Sequence, residues 1–158
     1  MASDYSNVSI LHGESDPLNK LVYDVSTSTA IGRGDLLKES SNAATVVTAV
    51  GDNDTFIGVS LDSHSTVKTA NKLNVLLRGR VNIGCTSATY SRGDALKYSA
   101  GANDTAWTLT AASSGQDGIM WSIEYAASAV TDLDCAFDAF LVGAGIGSGS
   151  GHWEGFAA

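Results

Sequence analysis

Asn74-Val75-Leu76-Leu77-Arg78-Gly79-Arg80-Val81-Asn82-Ile83 is the stretch on which the fold turns. Val75, Leu77, Gly79, Val81 and Ile83 occupy every second position, while Asn74, Leu76, Arg78, Arg80 and Asn82 fill the positions between. Successive side chains of an extended backbone leave on opposite faces, so a period of two describes a strand with one buried face and one outward face. A helix would scatter the same residues around its axis. Neighbouring segments read the same way. Ile57, Val59 and Leu61 alternate with Gly58 and Ser60. Trp121, Ile123 and Tyr125 share a face within residues 119–125, and Cys135, Phe137, Ala139 and Leu141 share one within residues 135–142. Residues 20–25 and 107–111 also read as strands. Residues 26–29, 113–118 and 126–134 read as turns or loops, and the polar run 62–73 leaves room for a short helical turn. With 17 glycines, one proline and no long amphipathic helical period, the chain is expected to be all-β, a compact β-sandwich or barrel-like domain.

An internal duplication organises these strands. Arg33-Gly34-Asp35-Leu36-Leu37-Lys38-Glu39-Ser40 returns as Arg92-Gly93-Asp94-Ala95-Leu96-Lys97-Tyr98-Ser99, identical at six of eight positions. Ile57-Gly58-Val59-Ser60-Leu61 is answered by Trp121-Ser122-Ile123-Glu124-Tyr125, and Val75, Leu77, Gly79, Val81 by Cys135, Phe137, Ala139, Leu141. The expected organisation is an arm over 1–19, a β domain over 20–142 with half-units of about 31–83 and 90–142, and a Gly-rich tail over 143–158. Each half alone would bury too little surface to be stable, so the two should pack together. Gly34-Asp35 and Gly93-Asp94 fit turns that feed a strand: glycine supplies a positive φ, and the Asp carboxylate ties down nearby backbone N–H groups. Gly51-Asp52-Asn53-Asp54-Thr55 also resembles Gly101-Ala102-Asn103-Asp104-Thr105, which reads as shared turn composition.

The succession Gly34-Asp35-Leu36-Leu37, Ile57-Gly58-Val59-Ser60, Val75-Leu76-Leu77-Arg78-Gly79-Arg80-Val81 and Gly93-Asp94-Ala95-Leu96 resembles the tailed-phage capsid decoration, or cement, family, long catalogued as a domain of unknown function. The resemblance covers about residues 20–142. It implies a small β-rich structural protein with no catalytic residues and no cofactor. Made in the host cytoplasm, such a protein binds the outer surface of the assembled major capsid protein, commonly as a homotrimer at threefold or quasi-threefold positions, and stabilises the shell. Trp121-Ser122-Ile123 departs from the pattern, which has Gly before the valine-like position.

Composition narrows the alternatives. Nine Lys+Arg against 17 Asp+Glu give a formal net charge of −8, the opposite of a nucleic-acid footprint. The N-terminal residues lack the basic and apolar regions of a secretory signal, and no apolar run reaches bilayer length. Cys85 and Cys135 are therefore expected as buried, reduced thiols. His12, His64 and His152 have no paired-ligand spacing, the Asp residues do not fall in a Ca²⁺-loop spacing, and no nucleophile elbow or phosphate loop occurs. The chain is expected to be neither enzyme nor metalloprotein. Two Arg-Gly-Asp tripeptides suit integrin recognition less well than the turn they repeat, and Asn7-Val8-Ser9, Asn53-Asp54-Thr55 and Asn103-Asp104-Thr105 read as turn residues rather than glycan acceptors. The competing function is a β-sandwich carbohydrate-binding or host-adhesion module, for which Trp107, Trp121 and Trp153 would be platform residues; Trp107 and Trp121, in alternating strands, read first as core. Candidate partner contacts are Arg78 and Arg80 on an outward face and Trp153 and Phe156 in the tail.

Overall fold

The computed structural model describes residues 8–26, 30–39, 45–48, 56–65, 71–98, 108–113 and 118–139. These form β1 (Val8–His12), a single 3-10 turn (Pro17–Asn19), β2 (Lys20–Asp24), β3 (Leu36–Glu39), β4 (Val46–Thr48), β5 (Phe56–Ser60), β6 (Lys72–Leu76), β7 (Arg78–Tyr90), β8 (Ala95–Tyr98), β9 (Thr108–Ala111), β10 (Met120–Ser122) and β11 (Ala126–Asp138). The protein is all-β and barrel-like. One sheet runs β2-β6-β5-β3-β4, and its two ends approach where Val25 bridges Val46. The other runs β1-β7-β11-β10-β8-β9 and curls until β7 meets β9 in parallel, Gly84 beside Thr108 and Cys85 beside Leu109. Curling each sheet until its ends meet removes most of the exposed edge.

The registers of the two sheets superimpose strand for strand. Leu36, Val59, Leu76 and Lys20 lie abreast in the first; Ala95, Trp121, Ala136 and Arg80 lie abreast in the second. Leu37–Thr48, Lys38–Val47 and Glu39–Val46 are answered by Leu96–Ala111, Lys97–Thr110 and Tyr98–Leu109. The first repeat thus opens at Lys20 and the second at Arg80, a different frame from the expected 31–83 and 90–142. Residues 78–90 open the second repeat, as the counterpart of β2, instead of closing the first. Only Leu77 separates β6 from β7, and the alternation keeps phase across it, so the sequence reads two strands of different sheets as one. In the same way Val59, not Ile57, is the counterpart of Trp121.

Val25, Ile31, Leu37, Val46, Leu73, Val75 and Leu77 fill the interior of the first barrel. Their counterparts in the second include Cys85, Leu96, Leu109, Leu133, Cys135 and Phe137, and these belong to a larger cluster that also takes in Leu36, Phe56, Val59, Leu61 and Leu76. The latter five come from the first repeat, so the larger core is shared between the two halves. Phe56 and Phe137 meet edge to face with centroids 5.6 Å apart, and a Cβ on Gly79 would lie 3.0 Å from Leu76 Cδ2. Leu76 is consequently fully buried. Alternation places it with Arg78 and Arg80 on an outward polar face; the second repeat covers that face at Leu76 and leaves it open further along.

Three other expectations change. Residues 8–19 belong to the fold, not to an arm: β1 pairs with β7, Val8 opposite Ile83 and Ile10 opposite Val81. Val8 and Ile10 pack on the larger cluster. Asp16 accepts a 2.9 Å bond from the Leu18 N–H, starting the 3-10 turn, and the Asn19 carbonyl accepts one of 2.7 Å from the Leu77 N–H. Second, residues 126–134 are strand. Ala126, Ala127, Ser128 and Ala129 give little apolar contrast, and β11 pairs with β7 through irregular register. Third, Tyr125 falls outside β10 and is 65% exposed. Residues 1–7 and the tail 143–158 lie outside the described residues.

Candidate partner-contact surface

The repeated Gly-Asp turns have matching geometry. Gly34 has φ 90° and Gly93 φ 86°, the left-handed region that costs a side-chain-bearing residue about 1–2 kcal/mol. Asp35 Oδ2 accepts from the Gly32 N–H at 2.8 Å, and Asp94 Oδ2 from the Ser91 N–H at 2.7 Å. The Gly34 N–H donates to the Ser60 carbonyl at 2.8 Å and the Gly93 N–H to the Ser122 carbonyl at 2.7 Å, so each turn is pinned to the same strand of its own barrel. Asp35 is fully buried. Arg33 forms a bidentate pair with Glu14, both bonds 2.8 Å, and also donates to the Leu61 carbonyl. An integrin could not reach Asp35, and the first Arg-Gly-Asp is a structural element.

Arg78 and Arg80 stand on the outward face where β7 meets β11. Arg78 Nε lies 2.9 Å from Asp138 Oδ2 and Arg80 Nη2 lies 3.8 Å from Asp134 Oδ2. Asn82 Nδ2 donates to Asp134 at 2.8 Å. These two basic residues are therefore matched by carboxylates of the neighbouring strand, and with Asp132 beside them the strip is close to neutral rather than a cationic patch. Exposed pairs of this kind contribute about 0–1 kcal/mol each, so a partner's carboxylate could compete for either arginine at little cost. Trp153, Phe156 and Trp107 lie outside the described residues. Trp121, read from its alternation as core, is half-buried on the outer face of the second barrel, between Ala95 and Ala136.

Exposed apolar residues were not legible as a group. Leu18 is 84% exposed, Leu21 50% and Val22 55%, gathered at the start of β2, with Leu11 in the bulge of β1. Adjacent exposed apolar residues at the mouth of a strand mark a contact surface more often than scattered ones do. The only signal for them was the loss of alternation in Leu21-Val22. Nearby, a shallow groove of about 310 Å³ follows residues 10–15 and contains His12 and Glu14, the latter occupied by Arg33.

Cys85 and Cys135 are free and buried. Burial raises both thiols above their ordinary value, and for Cys135 the proximity of Cys85 adds to the effect. Such thiols are poor nucleophiles. Among the described residues no three of His, Cys, Asp and Glu converge on a point that could hold a metal ion, and no helix is long and apolar enough to cross a membrane. No protein-family model matches the chain, and no curated protein matches it significantly.

Proposed function

We propose that this chain is a structural virion protein that binds the outer surface of a tailed-phage capsid and stabilises the shell. The observation that carries the reading is the ordered recurrence of one unit: a Gly-Asp turn, a strand, a Gly- or Ser-containing strand pinned to that turn, and an alternating strand. It resembles the decoration family in sequence, and both copies have the same hydrogen-bonded registers. A barrel-like sheet and a second curled sheet that share a buried core suit a protein whose task is to hold its shape under load. The acidic balance favours protein over nucleic acid as the partner. In this reading the partner is the major capsid protein, the chain acts as a homotrimer at threefold or quasi-threefold positions, and no catalysis or cofactor is involved.

The experiment is direct. Purified chain is incubated with expanded empty shells of its cognate virus, and bound copies are counted and located by cryo-electron microscopy. Saturable binding at threefold-related positions, with raised resistance of the shell to heat, is the expected result. Binding to a glycan array without binding to shells would replace this reading with the host-adhesion one, for which exposed Tyr125 and half-buried Trp121 would be the ring platform.

A further inference from the structure

The strand that opens each repeat is closed differently in the two. The outer row of the first repeat, Leu36, Val59 and Leu76, is fully buried in the core it shares with the second. Along β7, residues 80–83 pair on one side with β11 and on the other with β1, whose Val8 and Ile10 pack on the cluster that holds Val81 and Ile83. In the first repeat the counterparts of residues 80–83 are residues 20–23 of β2, which pair with β6. Among the described residues no strand takes the place of β1 on their other side. The side chains register the difference. Leu21 lies opposite Val75 and Val81 lies opposite Cys135, so the two face corresponding interiors. Val81 is fully buried, whereas Leu21 is half exposed and Leu18, just before it, almost wholly so.

The end of β11 arrives at this mouth. The Leu77 N–H donates to the Asn19 carbonyl and the Leu77 carbonyl accepts from the Ala139 N–H, each at 2.7 Å, so Ala139 and Asn19 are held by the same residue. Ala139, like Tyr23, packs on the interior cluster of the first repeat, although its strand belongs to the second. The next three residues of the sequence are Phe140-Leu141-Val142, all large and apolar, ahead of the Gly/Ser run 143–151. An extended chain covers about 3.3–3.6 Å per residue, so three residues match the length of residues 20–23. We propose that Phe140, Leu141 and Val142 lie over Leu18 and Leu21 of their own chain and close the first repeat where β1 closes the second. The contact gives the apolar run a place to be buried. It also guards a sheet edge that would otherwise accept a strand from another chain. It is intramolecular, and it does not rest on the capsid reading above.

The test uses the full chain carrying Leu18→Cys or Leu21→Cys, labelled with a maleimide in buffer and in denaturant, with Cys85 and Cys135 buried. Circular dichroism verifies folding, and peptide mass mapping assigns the label to its site. Each introduced thiol should react at least about tenfold more slowly in buffer than in denaturant, at a rate independent of protein concentration. Adding Leu141→Ser and Val142→Ser to the same full chain should remove most of that protection while the far-ultraviolet spectrum stays unchanged. Leu18 lies outside both core clusters, so Leu18→Cys decides the matter alone if Leu21→Cys does not fold. Labelling as fast in buffer as in denaturant would overturn the inference, and so would protection that survives Leu141→Ser and Val142→Ser. Protection that grows with protein concentration would overturn it in favour of a second copy as the cover. Shell binding is scored separately: loss of the capsid reading leaves this contact standing, and loss of the contact leaves the capsid reading untouched.

Discussion

Replacing Leu76 by alanine distinguishes the packing of two repeats from the alternation of one strand. On alternation alone, Leu76 shares the outward face of β6 with Lys72 and Asn74, and its truncation should matter little. In the structure Lys72 and Asn74 are exposed while Leu76 is fully buried against Gly79. Full burial of a leucine side chain contributes about 1.5–3 kcal/mol by transfer, and the cavity left behind raises the usual cost of Leu→Ala to about 2–5 kcal/mol. The row is enclosed by both repeats and can collapse only by moving one barrel against the other, so we expect about 3 kcal/mol out of a total of about 5–15. At a urea dependence of about 1.5–2 kcal/mol per molar, the unfolding midpoint should fall by about 1.5–2 M with the slope unchanged. Lys72→Ala, on the same face but paired only with exposed Asp24, should cost no more than about 1 kcal/mol. If the two variants unfold at the same urea concentration, the second repeat does not cover Leu76 in solution and the shared core is refuted.

The edge-to-face contact of Phe56 and Phe137 should give a coupling of about 0.5–1.5 kcal/mol in a double-mutant cycle with leucine at each position; additivity would show that the barrels do not touch there. Deleting residues 1–7 should leave the unfolding midpoint unchanged, whereas deleting 1–16 removes Val8 and Ile10 from the core and should lower it markedly; equal midpoints would return 8–16 to the status of an arm. Gly79→Ala places a Cβ 2.4 Å from the His12 carbonyl, so it should strip amide-exchange protection from β1 while leaving β3 to β6 protected. Both thiols are raised above 9.0 by burial. An unfolded chain then releases these protons as pH passes about 9 while the native chain keeps them. The native state binds more protons there, and its stability falls as pH rises beyond that point. Thiol labelling at pH 8 should be slow in buffer and fast in denaturant, and rapid labelling of the native chain would contradict their burial.

The sequence reveals this fold wherever a strand has one wet face, and misleads wherever both faces are dry or both are small. Val75, Leu77, Val81 and Ile83 are readable because Asn74, Arg78, Arg80 and Asn82 intervene. Leu76 is not readable, since a residue buried by a neighbouring repeat has no periodic signature of its own. Residues 126–132 are invisible for the opposite reason, as Ala and Ser carry no contrast. The Gly-Asp turns are local devices and could be predicted from local chemistry. The exposure of Leu18, Leu21 and Val22 depends on how neighbouring strands assemble, and that follows only from the paired registers. Arg78 and Arg80 look like free cations along the chain, because Asp134 and Asp138 arrive from a strand more than fifty residues away.

Leu77 is the entire passage from one barrel to the next, and both of its backbone groups are bonded: its N–H donates to the Asn19 carbonyl and its carbonyl accepts from the Ala139 N–H, each at 2.7 Å. A splice of one residue with neither group to spare cannot act as a swivel. Turning one barrel on the other would break both bonds, expose the row centred on Leu76 and throw β7 out of phase with β6. Torque applied to either repeat is therefore delivered to the other without slack, and the duplicated molecule behaves as a single stiff beam of two cells, not as two beads on a string.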